Sequence, residues 1–158
     1  MRTDAAPMMD ITRGRSRIAA ITGFLGRLPL SIVQALFRLA VASVFLKAGL
    51  NKIASWDLTV QLFADEYKVP VLAPEFAARM AATFEIGCSL LLIAGLATRL
   101  ATLPMLGMIL TIQLFVYPNA YSEHLTWASI LVFLLTRGGG PWSLDTLLGL
   151  EPGDTGRG

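Results

Sequence analysis

The chain contains one cysteine, Cys88, and one histidine, His124. A single thiol forms no internal disulfide and no Cys-x-x-Cys pair, so dithiol exchange within the chain is excluded. A single imidazole excludes bis-histidine haem ligation and a histidine-rich metal site. Charge is scarce too. Only 15% of the residues are Asp, Glu, Lys or Arg, against roughly a quarter in soluble domains. The net charge is +2, with five arginines among the first 27 residues. That balance does not point to nucleic acid. No nucleophile–base pair, no phosphate-binding glycine loop and no multi-residue metal site appears, so an accessory role is favoured over an independent enzyme. The glycines Gly138, Gly139 and Gly140 follow an apolar run and precede Pro141, which reads as a helix stop.

What the chain has instead is apolar length. Hydrophobic residues make up 54% of it, arranged in four runs near the ~20 residues that a bilayer requires. The predicted spans are about 29–50, 76–96, 99–116 and 121–136. The expected fold is therefore all-α: a polytopic membrane protein with a four-helix transmembrane bundle over residues 29–137. Residues 1–28 form a basic N-terminal segment, in which Ile18, Ile21, Leu25 and Leu28 recur at helical spacing and suggest an interfacial helix. Residues 138–158 form a C-terminal tail. The N-terminal arginines, Arg99, Arg137 and Arg157 fall on one side of this arrangement. By the positive-inside rule that side is cytoplasmic, so both termini are expected on the cytoplasmic side of a bacterial inner membrane. Between the first two spans, Ile53, Trp56, Val60, Phe63 and Tyr67 follow 3-4-3-4 spacing, the pattern of an extra amphipathic helix lying at the outer interface.

Three stretches carry a family resemblance. "LFRLAVASVFLKAGLNKI", with Arg38, Phe45, Gly49 and Lys52, resembles the first helix of the DoxX family of small four-helix membrane proteins. "FEIGCSLLLIAGLATRLA" is similar to the family's second helix. "GGGPWSLD" resembles its ending, a glycine-proline break followed by Ser143, Leu144 and Asp145. The resemblance implies a four-helix bundle in the membrane. It also implies association with quinone-linked sulfur or thiol oxidoreductase systems, with periplasmic redox maturation, or with metal-stress systems.

Glu85 is the first candidate site residue. It lies about 15 Å inside its span at helical rise, where a carboxylate faces the bundle interior and finds a partner or is protonated. Ala78, Ala81, Ala82, Cys88, Ser89 and Leu92 surround it as a small-residue stripe that admits another helix. Counting depth along the first span places Lys47 and Arg38 on either side of its level, so a Glu85–Lys47 or Glu85–Arg38 contact is expected. Such a pair either holds two helices in register or serves as a protonatable group beside a quinone or substrate. Lys52 and Trp56 either snorkel and anchor at the interface, or belong to a helix that lids the outer mouth with Lys52 reaching inward. His124 with Tyr117, Tyr121 and Trp127 forms either an aromatic belt or an outward pocket for a quinone head group, a metal or a partner protein. One histidine beside Glu123 is too small a ligand set, and no metal site is expected. Trp142 reads as an interfacial anchor, and Ser143 and Asp145 as caps of the segment after the last helix.

These residues point to an accessory or membrane-anchor subunit of a redox or metal-stress system, in contact with lipid and with a protein partner or a second copy of itself. A small proton-coupled transporter and an assembly factor without chemistry are the alternatives.

Overall fold

The computed structural model describes residues 29–150 together with Gly23. The expected N-terminal interfacial helix and the last residues of the tail lie outside the described residues. Among residues 29–150 six α-helices follow in order: α1 Leu30–Ala54, α2 Trp56–Leu62, α3 Pro74–Ala94, α4 Thr98–Thr111, α5 Tyr121–Arg137 and α6 Leu144–Leu147. α2 continues as a π-helical turn over Phe63–Tyr67, and α4 as another over Ile112–Val116. Among the described residues there is no strand.

Among the described residues, three helices are long and apolar enough to cross a membrane: Leu30–Ala54, Pro74–Ala94 and Thr98–Val116. α5 has 17 residues, about 25 Å at helical rise, which is short of the ~30 Å hydrocarbon core. The chain is nonetheless an integral membrane protein by these three. Their outward faces carry large apolar side chains such as Leu36, Leu90, Leu100 and Leu110, all more than half exposed. Water would not tolerate so continuous an apolar surface, and lipid does.

The four long helices pack in a closed ring: α1 on α3, α3 on α4, α4 on α5, and α5 back on α1. Their shared core is Val41, Ala42 and Phe45 from α1, Leu92 from α3, Met105 and Ile109 from α4, and Leu131 and Leu134 from α5. Cys88 is buried in it as a free thiol. α1 and α3 approach closely at Gly49. A Cβ there would meet Ile86 Cγ1 at 2.7 Å and Glu85 Cβ at 3.0 Å. Only a hydrogen fits, so Gly49 sets the α1–α3 distance.

The amphipathic pattern across the loop resolves differently from the expectation of one interfacial helix. Ile53 belongs to the last turn of α1 and is exposed. Trp56, Val60, Phe63 and Tyr67 do share a face, but they spend it on α3. They pack with Ala77, Ala78 and Ala81 in a second core cluster. The first two turns of α3 therefore overhang the end of α1 and rest on α2.

The opposite end of the bundle is closed by polar contacts. α3 stops at Gly95, which takes φ +68° and donates to the Leu92 carbonyl at 3.2 Å. The Leu96 amide reaches the Leu91 carbonyl at 2.9 Å; together these form the paired bonds of a left-handed helix stop. The chain beyond α5 turns back onto this point. Asp145 Oδ1 accepts from the Ala97 amide at 2.6 Å and Oδ2 from the Thr98 amide at 2.9 Å. Asp145 thus caps the first turn of α4 from 47 residues away in sequence, besides starting α6. Ser143 does cap α6, accepting from the Thr146 amide. Trp142 is exposed, and its carbonyl accepts from Arg38 Nη2 at 2.7 Å.

Candidate functional site

At the end of the bundle away from Gly95, the helices splay around a cavity of about 760 Å³. That is within the ~300–1,000 Å³ of small-molecule sites. Two irregularities open it. Both π-helical turns contribute to its wall, through Phe63 and Tyr67 on one and Ile112 and Val116 on the other. π turns widen a helix locally and recur at functional sites. Pro104 and Gly107 of α4 also line it; one lacks an amide hydrogen and the other a side chain, which leaves room beside α4.

The wall is mostly apolar, with Tyr67, Thr111, Tyr117 and Glu123 among its polar residues and two buried polar features. The first is an ion pair. Lys52 Nζ lies 2.7 Å from Glu85 Oε1 and 2.8 Å from Oε2. The side chains are 20% and 4% exposed, so the carboxylate depends on this ammonium for its charge balance. The expected Glu85–Lys47 or Glu85–Arg38 contact is thereby corrected. Two physical reasons account for it. On a helix, Lys47 lies about 200° from Phe45, whereas Lys52 is one heptad on and only about 20° away. Lys47 accordingly points outward and is exposed. The overhang of α3 on α2 supplies the second reason. It shifts the helix register so that Glu85 meets Gly49 rather than the level of Ala42. Arg38 is buried at the Gly95 end, where it binds Trp142 and feels Asp145 as its counter-charge. It belongs to the helix-end network and not to the cavity.

The second polar feature is His124, 95% buried on α5. Its Nδ1 lies 2.7 Å from Gln113 Oε1. Gln113 Nε2 in turn donates to the Pro118 carbonyl at 2.8 Å. Trp127 packs beside the imidazole, with ring centroids 5.6 Å apart. Both His124 and Trp127 line the cavity together with Lys52 and Glu85. Two clusters far apart in the sequence are therefore walls of one chamber.

Tyr117 also lines the chamber. Its hydroxyl donates to Glu66 at 3.2 Å and lies 3.4 Å from the Tyr67 hydroxyl; the two rings meet edge to face at 5.8 Å. The neighbouring Tyr67 hydroxyl, burial and Glu66 all push the Tyr117 phenol above its ordinary pKa. Tyr121 and Trp56 do not line the chamber. Tyr121 is exposed, and Trp56 sits in the α2–α3 cluster with the Arg79 guanidinium 5.9 Å from its ring. Among the described residues, no group of three or more His, Cys, Asp or Glu could hold a metal ion.

Sequence reasoning did not place Gln113 or Tyr67 at the site and did not find the tertiary cap from Asp145. Gln113 offered a signal: a polar amide near the end of an apolar run, where a buried amide needs partners.

No curated protein and no solved structure matches the chain. The DoxX family model does, over residues 33–118. That stretch is more than half of the 158 residues and holds α3, α4, both π-helical turns and nearly all of α1, with Lys52, Glu85 and Gln113; the "GGGPWSLD" ending lies beyond it. The chain belongs to the DoxX family.

Proposed function

We propose that this DoxX protein is an accessory, membrane-anchor subunit of a quinone-linked redox system, and that the chamber at the His124 end is its quinone site. One observation carries the reading: a single apolar chamber of about 760 Å³ has the Lys52–Glu85 pair and His124 on its walls. A quinone needs an apolar slot for its ring and tail and a few polar groups for its two oxygens. In this reading α5 also crosses the membrane, so that four helices span it. Both ends of the bundle's chain then lie on the cytoplasmic side of a bacterial inner membrane, and the chamber faces outward. A partner protein carries the other half of the redox chemistry, because Cys88 alone supplies no dithiol. Purification in mild detergent with mass spectrometry of the extract should recover a lipid quinone and a redox partner. Glu85→Gln should lower quinone-dependent turnover of that complex. Quinone-free preparations from quinone-replete membranes would refute the site.

A second reading has one observation in its favour. Lys52 also lines a smaller polar cavity of about 350 Å³ beyond Phe63 and Tyr67, so the ion pair stands between two compartments. A proton-coupled transporter would place its charged pair in such a position. Proton release on adding cationic compounds to purified protein would support it; no release across a panel would dismiss it.

A further inference from the structure

The hydrogen-bond chain behind His124 has a direction. A carbonyl oxygen can only accept, so the Gln113 group 2.8 Å from the Pro118 carbonyl is its amide nitrogen. That turns the Gln113 oxygen toward His124, 2.7 Å from Nδ1. An amide oxygen also only accepts, so the neutral imidazole carries its hydrogen on Nδ1. Nε2 is then a bare lone pair. Among the described residues Nε2 has no hydrogen-bond partner, and His124 lines the chamber. The other polar wall takes no side: two of the three Lys52 donors are engaged with Glu85, which leaves one N–H to donate, while the carboxylate retains lone pairs to accept with.

A quinone presents two carbonyl oxygens, which accept only. Its reduced form presents two hydroxyls, which donate. We infer that the chamber selects the quinol over the quinone, with His124 Nε2 accepting from one quinol hydroxyl and Gln113 setting the tautomer that makes this contact available. The inference rests on the quinone reading above and deepens it: Gln113 is a positioning residue, acting through His124. A quinone carbonyl facing the bare Nε2 would instead meet lone pair against lone pair.

The test is anaerobic binding to the full chain in lipid nanodiscs, followed by quenching of tryptophan fluorescence. Trp127 in the chamber wall is the reporter. The probes are short-chain ubiquinone and short-chain menaquinone, each in oxidised and chemically reduced form. One additional hydrogen bond is worth on the order of tenfold in affinity, so the quinol form of the better-bound probe should bind about tenfold more tightly. His124→Phe should abolish that preference while retaining quinone binding. Gln113→Glu should reverse it, because a carboxylate at Nδ1 favours the imidazolium, whose Nε2 donates. Binding of both redox forms without preference, or tighter quinone binding, overturns the inference and leaves the quinone site standing. A quinol preference that survives Gln113→Glu overturns it too. Binding of neither form by any probe overturns both readings.

Discussion

Replacing Lys52 by methionine tests the ion pair most sharply, because its two members are not equally placed. Glu85 keeps only 4% of its side-chain surface and Lys52 keeps 20%. Lys52→Met leaves a carboxylate with no counter-charge in an apolar wall. Removing one partner of a buried pair costs about 3–5 kcal/mol; the adjoining chamber gives some relief, so about 3 kcal/mol is expected here. Glu85→Gln is milder. The amide oxygen still accepts from Lys52, and the ammonium is the better solvated partner, so the loss should be about 1 kcal/mol. The two losses sum to about 4 kcal/mol. The double variant carries neither charge, and its remaining amide is neutral, so it should lose only about 1–2 kcal/mol. The cycle then yields a coupling of about 2–3 kcal/mol, the upper part of the range for residues in contact. Reversible unfolding in mixed detergent micelles, read by tryptophan fluorescence, measures all four proteins. A double variant that loses the full sum, with coupling below ~0.5 kcal/mol, would show that the pair is not a unit.

Two further outcomes rest on the packing. Gly49→Leu should separate α1 from α3 and destabilise by about 2 kcal/mol or more, since even a Cβ would sit 2.7 Å from Ile86 Cγ1 and overpacking typically costs about 1–3 kcal/mol; a thermal midpoint within error of wild type would contradict the close approach. Asp145→Ala should cost about 2–3 kcal/mol by orphaning the Ala97 and Thr98 amides, and Asp145→Asn should recover about half, keeping one acceptor of two; equal losses in both variants would contradict the two-oxygen cap.

How much of the structure is legible in the sequence depends on range. The long helices are legible, because apolar run length and the breaks at Pro74, Gly95 and Pro118 act locally. Glu85 is legible as an inward residue for the same reason: one charge inside an apolar run must turn to the bundle. Its partner is not. Depth counting assumes that α1 and α3 begin level, and the packing of α3 on α2 shifts them. The face of α1 is better information than depth. Phe45, Gly49 and Lys52 already share a 4-3 spacing that Lys47 breaks. The chamber is illegible because its walls come from helices far apart in the sequence, and spacing rules reach only within one helix. The cap by Asp145 reads as local to α6. Its second role is a contact across 47 residues, which no spacing rule reaches.

That cap also bears on how the protein is made. A ribosome delivers α1, α3 and α4 before the residue that satisfies the first amides of α4 exists. Until Asp145 emerges, Ala97 and Thr98 must draw on water or lipid headgroups, so the turn after Gly95 has to wait at the membrane surface. Because Asp145 reaches that turn directly, the chain segment after α5 must arrive on the same face of the bilayer. Without that segment in place the turn is left unsealed and Arg38 lacks the Trp142 carbonyl. The last fastening made thus ties the segment after α5 to the start of α4.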